Sequence, residues 1–88
     1  MCRVFFEQPP ESYEPVKRSI RIQGQVTSLS LERQFWNILE KVAESQGMSL
    51  SIFIATLYEE ALNYHGEVRN FTSLLRSACV IYLQTIRD

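Results

Sequence analysis

Lys17, Arg18 and Arg21 stand a few residues upstream of Val26, Ser28 and Ser30, three small side chains spaced by two. Ammonium and guanidinium groups pair with phosphate. A serine hydroxyl can bond several base edges, and a valine can touch a thymine methyl. Gathered on one surface, these residues could meet a polyanion. The segment 17–33 holds Lys17, Arg18, Arg21 and Arg33 against Glu32 alone, in a chain whose formal net charge is −1. Both flanking parts are acidic in balance, so positive charge is concentrated on this segment, and two-fold pairing would double it. On charge alone, the plainer reading is preferred: a few basic residues that keep an exposed hairpin soluble.

The elements that must hold these residues follow from hydrophobic spacing. Thr27, Leu29 and Leu31 alternate with Val26, Ser28 and Ser30, the two-residue period of a half-buried strand. From Leu31 onward the apolar residues fall at Phe35, Ile38, Leu39 and Val42, one stripe of a helix. Residues 18–31 read as a hairpin turning at Gln23-Gly24, because glycine tolerates the positive φ such turns need. That turn sets Arg21 opposite Val26, Ser19 opposite Ser28 and Lys17 opposite Ser30, with Ile20 and Ile22 joining Thr27 and Leu29 on the core side. A slip of one residue would bring Arg18 outward instead. Residues 32–46 are the first long helix, with Ser30 as N-cap, Glu32 in the first turn and Gly47 as the stop. Ser49 caps a second helix that ends near Gly66, and Asn70 or Thr72 starts a third. The third is apolar nearly all round (Phe71, Leu74, Leu75, Ala78, Val80, Ile81, Leu83), so it is expected to be buried on more than one side, as in a dimer interface. Residues 1–16, with Pro9, Pro10 and Pro15, read as an irregular arm that Phe5, Phe6 and Tyr13 dock on the body; residues 17–88 form the domain. The fold class is mainly α with a small β ribbon.

Length and composition narrow the function further. At 88 residues the chain is one domain whose core is marginal alone and would gain from a second copy. No apolar run approaches the roughly 20 residues a membrane-spanning helix needs, and the first ten residues lack a signal-peptide core. With no export signal and Cys2 far from Cys79, the expected compartment is the cytoplasm and no disulfide is expected. His65 is the single histidine and lies by a helix end, so no metal site and no cofactor are proposed. Cys79 reads as a small buried hydrophobe. Glu40 with Glu44 and Glu59 with Glu60 read as solvated helix faces, and no nucleophile with its base or phosphate-binding loop is present. An enzyme is not expected. Trp36 falls beside the stripe of Phe35, Ile38, Leu39 and Val42, covering the core edge or a dimer seam; the sharper alternative is an exposed anchor for a protein partner.

The run Ser19-Ile20-Arg21-Ile22, Gly24, Thr27-Ser28-Leu29-Ser30-Leu31-Glu32, Phe35-Trp36, Leu39 and Ala43 resembles the ribbon-helix-helix superfamily of bacterial and phage DNA-binding proteins. More narrowly it is similar to a little-characterised bacterial subfamily, which continues with a loop like His65 to Phe71 and a helix like Leu74-Leu75-Arg76. The similarity covers about residues 18 to 84. It implies an intertwined homodimer, possible further assembly, and an antiparallel ribbon in the major groove of double-stranded DNA. It also implies a phosphate held at the start of the second helix by Ser49, Leu50 and Ser51. Val26, Ser28 and Ser30 are then the base readers, and Lys17, Arg18, Ser19 and Arg21 the supporting DNA contacts. The family pattern often has arginine where this chain has Ser30. That departure keeps a second expectation open, a protein-protein interaction module on the same dimeric fold.

Overall fold

The computed structural model describes residues 2–86; Met1, Arg87 and Asp88, which fall within the segments above, lie outside the described residues. In chain order the elements are α1 (Cys2–Phe6), a 3-10 turn (Pro10–Tyr13), β1 (Pro15–Ile22), β2 (Gln25–Glu32), α2 (Arg33–Ser45), α3 (Leu50–His65) and α4 (Phe71–Ile86). The fold is mainly helical with one antiparallel hairpin, as the sequence predicts. Gln23 and Gly24 both have positive φ, 52° and 78°, the combination a two-residue type I′ turn requires. A side-chain carbon on Gly24 would meet nothing within 4 Å, so backbone conformation, not space, favours glycine there. The pairs Arg21↔Val26, Ser19↔Ser28 and Lys17↔Ser30 form in the expected register.

The hairpin turns Ile20, Ile22, Leu29 and Leu31 inward to pack with Trp36 and Leu39 of α2, Ile54 of α3, and Leu75 and Cys79 of α4. Cys79 is fully buried, its thiol 3.7 Å from the Phe35 carbonyl oxygen it donates to, and burial pushes its pKa up to about 11. Helix α3 begins with Ser49 accepting from the Ile52 amide at 3.3 Å and ends at Gly66 in the left-handed conformation.

Three expectations change. Trp36 is not at the flank: it is 3 % exposed, with its indole N–H donating to the Val16 carbonyl at 2.8 Å, whereas Phe35 and Ile38 are only half-buried. The fully buried stripe of α2 is Trp36, Leu39, Val42 and Ala43. Leu31 belongs to the strand and does not set the phase of the helix that follows. Ser30 is likewise in β2 and caps nothing. Pairing continues to Pro15↔Glu32, so Glu32 takes the N-cap without a side-chain cap bond, and the Glu14 carbonyl satisfies the Arg33 amide at 2.9 Å. The arm is not irregular, since two short helical segments occupy it; it docks through the 3-10 turn, which packs against α2, while Phe5 and Phe6 stay 65 % and 69 % exposed. Within one chain α4 is covered on one side only: Leu75 and Cys79 are buried, while Val80, Ile81, Leu83 and Ile86 are exposed.

Because Trp36 contributes both buried area and a second hydrogen bond to the Val16 carbonyl, which strand pairing with Leu31 also engages, Trp36→Phe is expected to cost about 0.5–1.5 kcal/mol for the lost bond. Trp36→Ala should cost about 3–5 kcal/mol. Urea unfolding followed by far-ultraviolet circular dichroism tests both; an unchanged midpoint for Trp36→Ala would contradict the central position of the indole.

Candidate nucleic-acid interface

Strand alternation sorts the hairpin residues into two faces. One is the buried face already described. The other presents Lys17, Ser19 and Arg21 from β1 beside Val26, Ser28 and Ser30 from β2, all exposed. No acidic residue stands among these six. Arg21 Nη1 donates to the Gly24 carbonyl at 3.1 Å, and neither Arg21 nor Lys17 joins an ion pair among the described residues. Both positive charges therefore remain available to an anion.

Arg18 is separated from this group. Since the register does not slip, it sits on the inner-facing side, where its Nη1 lies 3.1 Å from Glu40 Oε1 and its guanidinium 5.3 Å from the centre of the Trp36 ring. An opposite charge and an aromatic face hold it against the helix layer. Sequence reasoning that grouped Arg18 with Lys17 and Arg21 missed Glu40, because the partner is 22 residues away and only the packing of α2 on the hairpin brings the two together.

At the start of α3 the Ser49 hydroxyl is committed to the Ile52 amide, and the Ser49 carbonyl accepts from the Phe53 amide at 2.9 Å. The Leu50 and Ser51 amides find no backbone partner outside the helix among the described residues. A helix start with free amides favours an anion, as every such end does. Of the three residues expected to hold phosphate, Ser49 works as the cap, leaving Leu50 and Ser51 as the free backbone donors.

Glu32, at the junction of β2 and α2, makes a bond pair that spacing does not reveal. Its carboxylate accepts from Arg76 Nε at 3.0 Å and Nη2 at 3.3 Å, and Arg76 lies 5.8 Å from the centre of the Phe35 ring. The hydrogen bonding from Arg76 holds the Glu32 pKa below its ordinary 4.5. This fork ties α4 to the base of the ribbon, and it occupies the one acid of the segment 17–33.

A rival site is an open cleft of about 430 Å³ lined by Ala61, His65, Glu67, Val68, Arg69 and Leu74. Glu67 pairs with Arg69, and His65 has an edge-on contact with Tyr64 but no hydrogen-bond partner among the described residues. Nothing there orients the imidazole as a base. No group of three or more potential metal-ligating residues occurs among the described residues, and no described helix is long and apolar enough to cross a membrane.

The hairpin followed by two packed helices defines a ribbon-helix-helix architecture, and residues 15–83 match the ribbon-helix-helix domain family. The chain belongs to that family, which typically dimerises and binds DNA and whose fold is a non-enzymatic one. The solved structure of an uncharacterized protein from Bordetella pertussis Tohama I is similar, with a TM-score of 0.91 and 42 % identity over 94 % of this chain. This chain spans 66 % of that protein's length. No curated protein matches.

The Glu32–Arg76 bridge sets a pH expectation. A carboxylate whose pKa is depressed by folding stabilises the fold above its unfolded pKa and loses that contribution as pH falls through the folded value. Both partners are about a third exposed, so solvent screening keeps the effect small. Wild type is expected to be more stable than Arg76→Gln at pH 7, with the gap narrowing below pH of about 4.5. Urea midpoints at pH 7 and pH 3 measure it; a gap that widens on acidification would contradict the assignment.

Proposed function

We propose that this protein is a DNA-binding regulator whose dimeric β ribbon contacts the major groove. The observation that carries this reading is the outward face of the hairpin: two cations without acidic partners, three serines and one valine, with no carboxylate between them. Cations provide attraction to any duplex, whereas hydroxyls and the valine methyls on alternate positions are of a size to reach base edges. Membership of the ribbon-helix-helix domain family supports the same reading. The Leu50 and Ser51 amides at the start of α3 are proposed as additional phosphate donors. A near-neutral chain can still bind DNA when its charge is local, since a neutralised phosphate and its released counterion depend on the contact surface and not on the total.

One observation favours a second reading. Val80, Ile81, Leu83 and Ile86 leave part of α4 bare, as suits a module that binds another protein. Fluorescence anisotropy of labelled duplex separates the two. Binding to the upstream region of its own gene, tighter than to scrambled duplex and weakening steeply as salt rises, is expected for the regulator. No binding at low salt by a folded dimer would remove DNA from the account.

A further inference from the structure

The cleft of about 430 Å³ between the end of α3 and the start of α4 shares no lining residue with the ribbon. Its lining is graded from apolar to charged. Ala61 on α3, Val68 in the connecting loop and Leu74 on α4 are half-buried and make an apolar floor. His65, Glu67 and Arg69 are exposed and make a polar rim. Small-molecule sites are commonly about 300–1,000 Å³, with an apolar lining and a few polar groups that fix orientation. The cleft has both the size and the composition of such a site.

The rim selects the ligand by charge. Glu67 and Arg69 pair with each other, their side chains 57 % and 84 % exposed. An ion pair so open to water contributes little, so exchanging it for another set of opposite charges forfeits little. A ligand with only an anion would meet Arg69 but be repelled by Glu67, and a ligand with only a cation has the converse fault. A molecule bearing both charges on one carbon meets both, its carboxylate at the Arg69 guanidinium and its ammonium at the Glu67 carboxylate. His65, in edge-on contact with Tyr64, adds an imidazole N–H beside them. An apolar third substituent on that carbon is then covered by Ala61, Val68 and Leu74. We infer that the cleft binds a free α-amino acid with a large apolar side chain, of the size of leucine or phenylalanine. Glu67 and Arg69 read the zwitterion, and the floor reads the side chain. The site stands or falls independently of DNA binding.

Titration of the isotope-labelled protein with leucine and with phenylalanine, followed by two-dimensional amide NMR, tests the site. Saturable shifts concentrated on amides of residues 61–74 are expected for both. N-acetylleucine lacks the ammonium and leucinamide lacks the carboxylate, so each is expected to bind about tenfold more weakly than leucine. Alanine keeps the zwitterion but covers little of the floor, and should be weaker than leucine by on the order of tenfold or more.

Variants then assign the charges. Glu67→Gln and Arg69→Gln alter exposed side chains and are expected to leave the fold intact. Glu67→Gln should lower leucine to the affinity of N-acetylleucine, removing the difference between those two ligands. Arg69→Gln should do the same for leucine and leucinamide. Equal binding of leucine, N-acetylleucine and leucinamide to the wild-type protein would overturn the inference, as would differences that survive in both variants. Absence of saturable shifts in residues 61–74 would remove the site altogether. Shifts of the same amides on diluting the protein without ligand would place a second copy in the cleft, and would overturn the inference in that way.

Discussion

The register Ser19↔Ser28 is the constraint on which the rest of this molecule depends. Side chains alternate along a strand, so sliding one strand by a single residue would exchange Ile20 and Ile22 for Arg21 and Ser19 on the buried face. The core could not accept an unpaired guanidinium where Ile20 now sits, 2 % exposed. Burial of four aliphatic side chains therefore fixes the inner face, and the same geometry composes the outer face without further instruction. The type I′ turn agrees with this choice, and Trp36 reinforces it from the helix by donating to Val16 in β1.

How much of this could be read in the sequence varied by element. The turn at Gln23-Gly24, the pairing it sets, the cap at Ser49 and the stop at Gly66 all follow from local chemistry, and the structure has them. The phase of α2 was not legible in the same way. Leu31 fits both the strand alternation and the helical stripe, and counting the helix from it moves Trp36 off the buried side. Ser30 misleads for the same reason, as a good capping residue that strand pairing keeps extended. Arg18 and Glu32 owe their roles to Glu40 and Arg76, partners 22 and 44 residues away, which no local pattern contains. The arm was misread because prolines suggest irregularity, whereas Pro10 begins a short 3-10 turn where its missing amide costs nothing.

Charge is managed by pairing as much as by composition. Of the basic residues in the ribbon segment, Arg18 is held by Glu40, and the lone acid Glu32 is held by Arg76 from outside the segment. What remains on the outward face is of one sign. A chain with an overall charge of −1 can thus present a locally positive surface, since its carboxylates are engaged or lie elsewhere.

The hairpin closed within one chain also has a kinetic meaning. A ribbon built from one strand of each subunit has to find its register during a bimolecular encounter. Here the local pairing needs only a two-residue loop to close, an event of about 1–10 μs in isolated hairpins. In the proposed dimer, two chains would thus meet with their hairpin faces already sorted.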